Sequence, residues 1–562
     1  MDQNIFLTKF QFTPQRLLWV GLFMVYLLGL FSPLIENDSA QFAVMAMRMA
    51  QENDYLHLIK GFEPYLDKPH MHFWLSALSF ELFGFHHWAY RLPSLLMLIV
   101  ATVSIYRWSN LFYNTRVSQW VAFLFASAQT IILSGIDVRT DAILVGFVSL
   151  ALYQFSSFIE TEKKSALILG SVAAAFAFST KGQIALLVIG IAILVHLGLR
   201  KKWKLLVSHQ FLLALFVFSL CISPMLYAYF IQFDQHPELI IRGQGERTGL
   251  KFIFWEQSME RLSGEGLGKN SSSYFFFVHS FLWEFLPWTV LFIGGLILTI
   301  KRNQQRFQAM ELFPYLVLLI VFPLISMAQF KLPHYLNVLM PLFALATAKF
   351  ITYCFHLEKT PKYVKLFQLL ILLLYFTLGM LLFFGIFEER GNSVLFVLLL
   401  AISIWSLRAV IHLKFHSFER LLMFNAIGLI FINLILNTYF YPRLAEFQAG
   451  YMTAKELNAS PYSQSPVYKL TAKHSWALDF YHQRPLKLLK VADLDSFEGL
   501  LYVGQEEFDS IKASRKTYDL ISKKTQFSVS RLNVKFLNPK TREQVTFYRY
   551  LLQLNPSETQ SN

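Results

Sequence analysis

Apolar runs of roughly 20 residues, the length a helix needs to cross a bilayer, alternate with short polar or basic segments over the first 440 positions. They predict thirteen spans, at about 17–34, 89–108, 117–134, 141–159, 166–180, 183–199, 208–230, 275–299, 312–329, 333–353, 365–387, 393–411 and 420–440. From Tyr441 onward the pattern turns polar, with a helix-like stretch over Ala445–Leu457 and short apolar runs such as Leu500–Val503. The expected architecture is an all-α polytopic membrane domain over 1–440, followed by a small C-terminal α/β domain over 441–562. No internal repeat or low-complexity tract is apparent.

Composition supports this reading. Only 15% of residues are charged and 55% are hydrophobic, against about 25% charged in soluble domains, which excludes an ordinary soluble enzyme. The net charge of +14 suits nucleic acid in a soluble protein, but here most of the excess sits in short basic clusters between spans. With a cytoplasmic N-terminus the short inner segments carry nineteen Lys and Arg, whereas the short outer loops hold only Arg139, Lys181, Lys331 and Arg390. This asymmetry orients the chain. An odd number of spans then puts the C-terminal domain outside, with two long outer loops at about 35–88 and 231–274; loops of such length tend to be functional. The first apolar segment follows Lys9 and Arg16 but lacks an A-x-A site before Glu36, so it reads as a retained anchor. Cys221 and Cys354 lie far apart inside apolar spans and supply neither a disulfide framework nor metal-ligand spacing.

The exceptions to the charge rule indicate where chemistry lies. Arg139 sits in Asp137-Val138-Arg139-Thr140-Asp141, Lys181 follows Thr180, and Lys331 opens Lys331-Leu332-Pro333-His334-Tyr335. The first long loop adds Glu36, Asp38, Asp67 and Lys68, and the second adds Arg242, Arg247, Arg261 and Lys269 among glutamates. Ionisable groups collected at a membrane boundary are functional candidates, and Lys or Arg there suits phosphate. Structural roles are open to the same residues. Asp38 can cap the helix-like run to Ala50, Asp141 can complement a helix dipole, Lys181 can sit in a turn before Gly182, Lys331 can snorkel, and Arg261 can pair with Glu256, Glu260 or Glu265. The Phe-rich stretches and eleven tryptophans read as lipid-facing belts, while His279 and Glu284 remain unassigned.

The motifs, in order, are an acid after the first span; Asp67-Lys68-Pro69-His70 running into Phe73-Trp74-Leu75-Ser76; Leu82-Phe83-Gly84; Arg91-Leu92-Pro93-Ser94; Arg139-Thr140-Asp141; Ser179-Thr180-Lys181-Gly182; Phe285-Leu286-Pro287-Trp288; and Lys331 to Tyr335. This series, over roughly residues 15 to 350, resembles the GT-C membrane glycosyltransferases of the protein mannosyltransferase and 4-amino-4-deoxy-L-arabinose transferase group. The resemblance implies a GT-C fold and a polyprenyl-phosphate-linked sugar donor, such as an undecaprenyl phosphate sugar. It implies transfer on the periplasmic or lumenal side to a lipid A-like glycolipid, another glycan or a protein. By the same resemblance Asp38 and Asp141 are the catalytic acids, and Lys68, Arg261 and Tyr335 lie near the donor phosphate.

Lys331 and Lys181 are further phosphate candidates, and Glu36, Asp67, Arg139 and His334 further substrate-binding candidates. Two departures from the family pattern stand out. A common Asp-Glu pair is here Asp38-Ser39, with the second acid absent or displaced to Glu36, and His70 and His334 stand where proline and threonine are frequent. As the sugar leaves, phosphate charge grows from one toward two, so cations stabilise the transition state more than the bound donor. Asp38 is the first choice of general base toward a hydroxyl acceptor. No cofactor is required, although Asp38 and Asp141 can hold a divalent cation. The expected setting is the bacterial inner membrane, with no nucleic-acid partner. A secondary transporter or lipid flippase is the competing class, and a non-catalytic scaffold a third.

Overall fold

The computed structural model describes residues 14–241, 243, 245–264, 273–301, 309–357, 360–387, 393–470, 474–514, 516–529 and 534–555. Lys9, Arg242, Glu265, Lys269 and Arg390, named above, lie outside them. Each of the thirteen apolar windows falls on a helix or a bent helix pair. Among the described residues nine helices are long and apolar enough to cross a membrane, or eleven if each of two bent pairs counts as one span. The two remaining windows are Pro14–Leu30, with 17 residues, and Lys164–Lys181, which carries a lysine at each end.

The bent pairs depart from the straight spans expected. Thr115–Ala126 and Gln129–Ile136 meet at 51°, and Phe276–Glu284 and Thr289–Lys301 at 119°. Pro287 lies in the second bend and has no backbone N–H to continue a helical ladder. Helix Asp141–Thr161 lies at the centre of the bundle, buried along most of its length, and packs most extensively on His87–Ser109 and Lys164–Lys181. Close approach here needs small residues: a Cβ on Gly146 would lie 2.8 Å from the Met97 carbonyl oxygen.

The first long loop has structure of its own. Helix Asp38–Glu52 packs on helix Met71–Phe83, with a short antiparallel hairpin of β1 (Ile59–Lys60) and β2 (Glu63–Pro64) between them. Phe42, Met45, Phe73, Ala77 and Tyr90 form its core, joined by Phe480 from the C-terminal domain. That domain holds β3 (Val467–Lys469), β4 (Lys487–Leu488), β5 (Gly499–Gly504), β6 (Tyr518–Phe527) and β7 (Thr546–Leu554) in the order β4-β3-β5-β7-β6. β3 runs parallel to β4 and β5, and the pairs involving β7 are antiparallel. Helices Ala449–Asn458, Trp476–His482 and Gln505–Ala513 complete an α/β unit.

Candidate active site

Charged side chains from five separated segments meet at one end of the bundle, in three linked groups. Asp67 organises the first group. One carboxylate oxygen lies 3.0 Å from Lys68 Nζ and the other 3.0 Å from Arg261 Nη2, while its carbonyl accepts from Gln257 Nε2 at 2.6 Å. Arg261 donates through Nη1 to the Tyr335 hydroxyl at 2.7 Å. Burial, reinforced by the positive charge of Arg261, lowers the Lys68 ammonium from the ordinary lysine range to about 8.

The second group is Asp141, Lys181 and His334. Lys181 Nζ lies 2.5 Å from Asp141 Oδ1, both side chains being nearly inaccessible, and His334 Nε2 stands 3.9 Å from Asp141 Oδ2. Tyr335 joins the two groups, since Lys181 Nζ lies 4.8 Å and the Arg261 guanidinium 5.7 Å from its ring centroid. Asp141 is the first residue of its helix, where a carboxylate complements the helix dipole. Lys181 ends the next helix, Lys164–Lys181, because Gly182, at φ +73°, takes a conformation that side chains disfavour.

In the third group Arg139 Nη1 reaches Asp38 Oδ2 at 2.9 Å, and its Nη2 reaches Asp137 Oδ2 at 3.2 Å. Burial depresses the guanidinium, but Asp137 and Asp38 outweigh that and raise it above the usual arginine value. Asp38 is half exposed. It does not make the helix cap expected of it: Asn37 does, accepting from the Ser39 amide at 2.8 Å while donating to Asp137 at 2.9 Å.

Two expected site residues have contacts outside these three groups. Glu36 turns to the C-terminal domain, where its carboxylate accepts from Ser475 Oγ at 2.7 Å, Trp476 N at 2.6 Å and Ala477 N at 3.2 Å, the start of helix Trp476–His482. Burial raises its carboxyl above the usual range even though these three bonds act to lower it. Lys331 donates to the Ser273 carbonyl at 3.1 Å and lies 5.6 Å from the Tyr274 ring. The chain there runs against Arg261, whose carbonyl accepts from Gln329 N. His70 is buried among Trp74 and Tyr229 with its Nε2 against the Leu56 carbonyl, and burial lowers it to about 4.

Asp38 and Asp141, which the sequence suggested can hold a divalent cation, are each engaged by a basic side chain. Among the described residues no three His, Cys, Asp or Glu side chains converge as a metal site. Sequence reasoning gave no role to Asn37, Asp137, Gln257 or Arg91. The last is buried, and its guanidinium donates to the carbonyls of Leu30, Ser32, Pro33 and Ile136. It thereby ties the segment before Asp38 to the helix that leads into Asp137–Asp141. An arginine a turn inside an apolar run was the signal for it.

Comparison with known proteins bears on this arrangement. Residues 67–227 match the family model described as dolichyl-phosphate-mannose-protein mannosyltransferase. A protein of Aquifex aeolicus with no stated activity is 23% identical over 82% of this chain and 84% of its own length. The undecaprenyl phosphate-alpha-4-amino-4-deoxy-L-arabinose arabinosyl transferase of Yersinia pestis is 26% identical over 59% of this chain, a match that spans 58% of that enzyme. Among solved structures, ArnT from Cupriavidus metallidurans bound to undecaprenyl phosphate superposes with a TM-score of 0.73 over 97% of this chain and 98% of that one, at 16% identity; its apo form gives 0.71. Taken with the ordered motifs, these likenesses make the chain similar to the GT-C membrane glycosyltransferases of the protein mannosyltransferase and 4-amino-4-deoxy-L-arabinose transferase group, and it shares the fold of ArnT.

Proposed function

We propose that the chain moves a sugar from a polyprenyl-phosphate-linked donor to an envelope acceptor, a lipid A-like glycolipid, another glycan or a protein, with inversion at the anomeric carbon. The observation that carries this reading is the gathering of Lys68, Arg261 and Lys181 around Asp67 and Tyr335, beside a half-exposed Asp38 held by Arg139. The names of the arabinosyl transferase relatives, which include undecaprenyl phosphate, support a lipid-linked phosphate donor.

Three cations around one phosphodiester stabilise the charge that develops as the anomeric C–O bond breaks, and they do so in a partly dehydrated site where each counts for more than in water. Arg261 and Lys68 already share Asp67, so an arriving phosphate takes over cations whose positions are fixed. The acceptor attacks the opposite face of the anomeric carbon. Asp38 takes its proton when the acceptor is a hydroxyl, and orients the sugar when it is a phosphate that needs no base. The chemistry requires no cofactor. Charge asymmetry between the loops favours a cytoplasmic N-terminus and a reaction on the periplasmic face of a bacterial inner membrane. A transporter would place ionisable groups in broken helices near the bilayer midplane; these groups sit at helix ends and in loops.

The test is incubation of purified protein with labelled polyprenyl-phosphate sugars, scored for release of polyprenyl phosphate. Asp38→Asn and Lys68→Ala each lower release by about 10²-fold or more while expression and circular dichroism stay unchanged. Full activity in both variants would overturn the assignment.

A further inference from the structure

At the end of the bundle away from Lys181 lies a groove that the glycosyl-transfer reading does not use. It encloses about 270 Å³ between helices Asp141–Thr161, Lys164–Lys181, Gln183–Arg200 and His209–Tyr229. Phe158, Leu167, Gly190, Leu197, Leu206 and Phe211 are among its lining residues. Its one polar lining side chain, Ser171, spends its hydroxyl on the Leu167 carbonyl. A Cβ on Gly190 would meet nothing within 4 Å. Walls this apolar suit a hydrocarbon chain.

Its mouth carries the opposite chemistry. Lys163 and Lys164 precede Leu167 by about one turn, Lys201 follows Leu197 by one, and Lys204 adjoins the lining residues Leu205 and Leu206. All four lysines are exposed. The carboxylates nearby are already taken: Glu160 by Arg200 and His196, Glu162 by Lys202. Among the described residues no acid pairs with the four, which leaves a surplus of positive charge. Between Lys201 and Lys204 stands Trp203, half exposed, a residue type that marks the level of lipid headgroups.

We propose that the groove and its lysines form a binding site for an anionic phospholipid, with one acyl chain between the helices and the phosphate on Lys201 and Lys204. A dry slot continuous with unpaired cations at headgroup depth matches an amphiphile with a negative head. The donor lipid is a poorer fit at this mouth. Leu167 lies 14 residues before Lys181 on one helix, about 21 Å at 1.5 Å per residue, so a phosphate held here is a helix length from Lys68 and Arg261.

Native mass spectrometry of the full-length protein in a zwitterionic detergent, titrated with phosphatidylglycerol or phosphatidylcholine, tests this. The expected result is one tightly held phosphatidylglycerol per chain and a preference over phosphatidylcholine of tenfold or more. Lys201→Gln with Lys204→Gln weakens phosphatidylglycerol by about 30-fold, the effect of two lysines beside an anionic headgroup, and leaves phosphatidylcholine unchanged. Gly190→Phe fills the slot and reduces retention of both lipids. Equal binding of the two lipids by wild type, or an unchanged titration in the double lysine variant, would overturn the proposal. Stoichiometric displacement of phosphatidylglycerol by polyprenyl phosphate would also overturn it, by assigning the slot to the donor's tail.

Discussion

Arg139 and Asp38 lie 101 positions apart in the chain, yet the guanidinium Nη1 and the carboxylate Oδ2 are 2.9 Å apart. The second arm of the same guanidinium holds Asp137, so Arg139 fixes the one carboxylate of the cluster that is half open to solvent. Asp38 is half exposed but Arg139 is mostly buried, and hydrogen bonds to charged groups contribute about 1.5–3 kcal/mol, so Arg139→Ala lowers stability by that order while the protein still folds. If Asp38 acts as base, losing its orientation costs about 10²-fold in transfer, within the range a positioned base contributes. The double variant Asp38→Asn with Arg139→Ala is then no slower than Asp38→Asn alone, because one pathway has been cut twice. Additive losses in a rate assay would show that Arg139 acts on the substrate directly.

The lowered Lys68 gives activity and stability opposite dependences on pH. In the folded protein its ammonium loses a proton near pH 8, whereas an unfolded lysine keeps it to about 10.4. Between those values the unfolded chain binds more protons, so this group makes folding stability rise with pH. Over the same window the free enzyme loses one phosphate-binding charge, and kcat/KM for the donor falls about tenfold per unit above pH 8. Bound phosphate raises the ammonium again, which moves the kcat limb to higher pH. Lys68→Arg, with a group that stays charged, abolishes the basic limb. A wild-type profile flat to pH 10 would contradict this.

Glu36 couples the C-terminal domain to the loop that carries Asp38. Its carboxylate takes three hydrogen bonds at the start of helix Trp476–His482, and its own amide donates to Gln448 at 3.2 Å. Glu36→Ala removes the charge-assisted bonds and strips Ser475 of a partner, a cost of about 2–4 kcal/mol. Hydrogen exchange at residues 474–482 rises accordingly. Transfer falls by less than tenfold, because Asn37 and Arg139 still hold Asp38 in place. Unchanged exchange at 474–482 would show that the Phe480 packing alone docks the domain.

These contacts mark the limit of what the sequence conveys. Apolar windows reported the helices because burial in lipid demands uninterrupted runs, and exceptions to the charge asymmetry marked Asp38, Lys68, Arg139, Asp141, Lys181 and Arg261, which the fold brings into one cluster. The 119° bend at Phe285–Trp288 was hidden because both arms are apolar and a single proline does not state an angle. Glu36 and Ser475 are 439 positions apart, and no local periodicity encodes such a pair. Lys331 and Lys181 looked alike in sequence as cations of short outer loops, yet Lys181 meets Asp141 and Lys331 the Ser273 carbonyl, a difference no residue type announces.

Glu284 gives the last prediction. It is fully buried at the bend, and among the described residues neither carboxylate oxygen has a hydrogen-bond partner. The adjacent Thr130 hydroxyl lies 2.6 Å from Asn337 Oδ1 and is committed there. Every carboxylate named in the cluster above faces a cation, whereas this one does not. An unpaired buried carboxylate costs stability, so Glu284→Gln raises the unfolding free energy by about 1–3 kcal/mol. Destabilising groups persist where activity needs them, and this one is an electrostatic neighbour of Asp141, so transfer falls in the same variant. Chemical denaturation in detergent and the polyprenyl phosphate release assay read the two effects separately. Unchanged stability would mean that burying Glu284 costs the native state no more than burying the amide. Unchanged transfer would make it a packing residue at the bend.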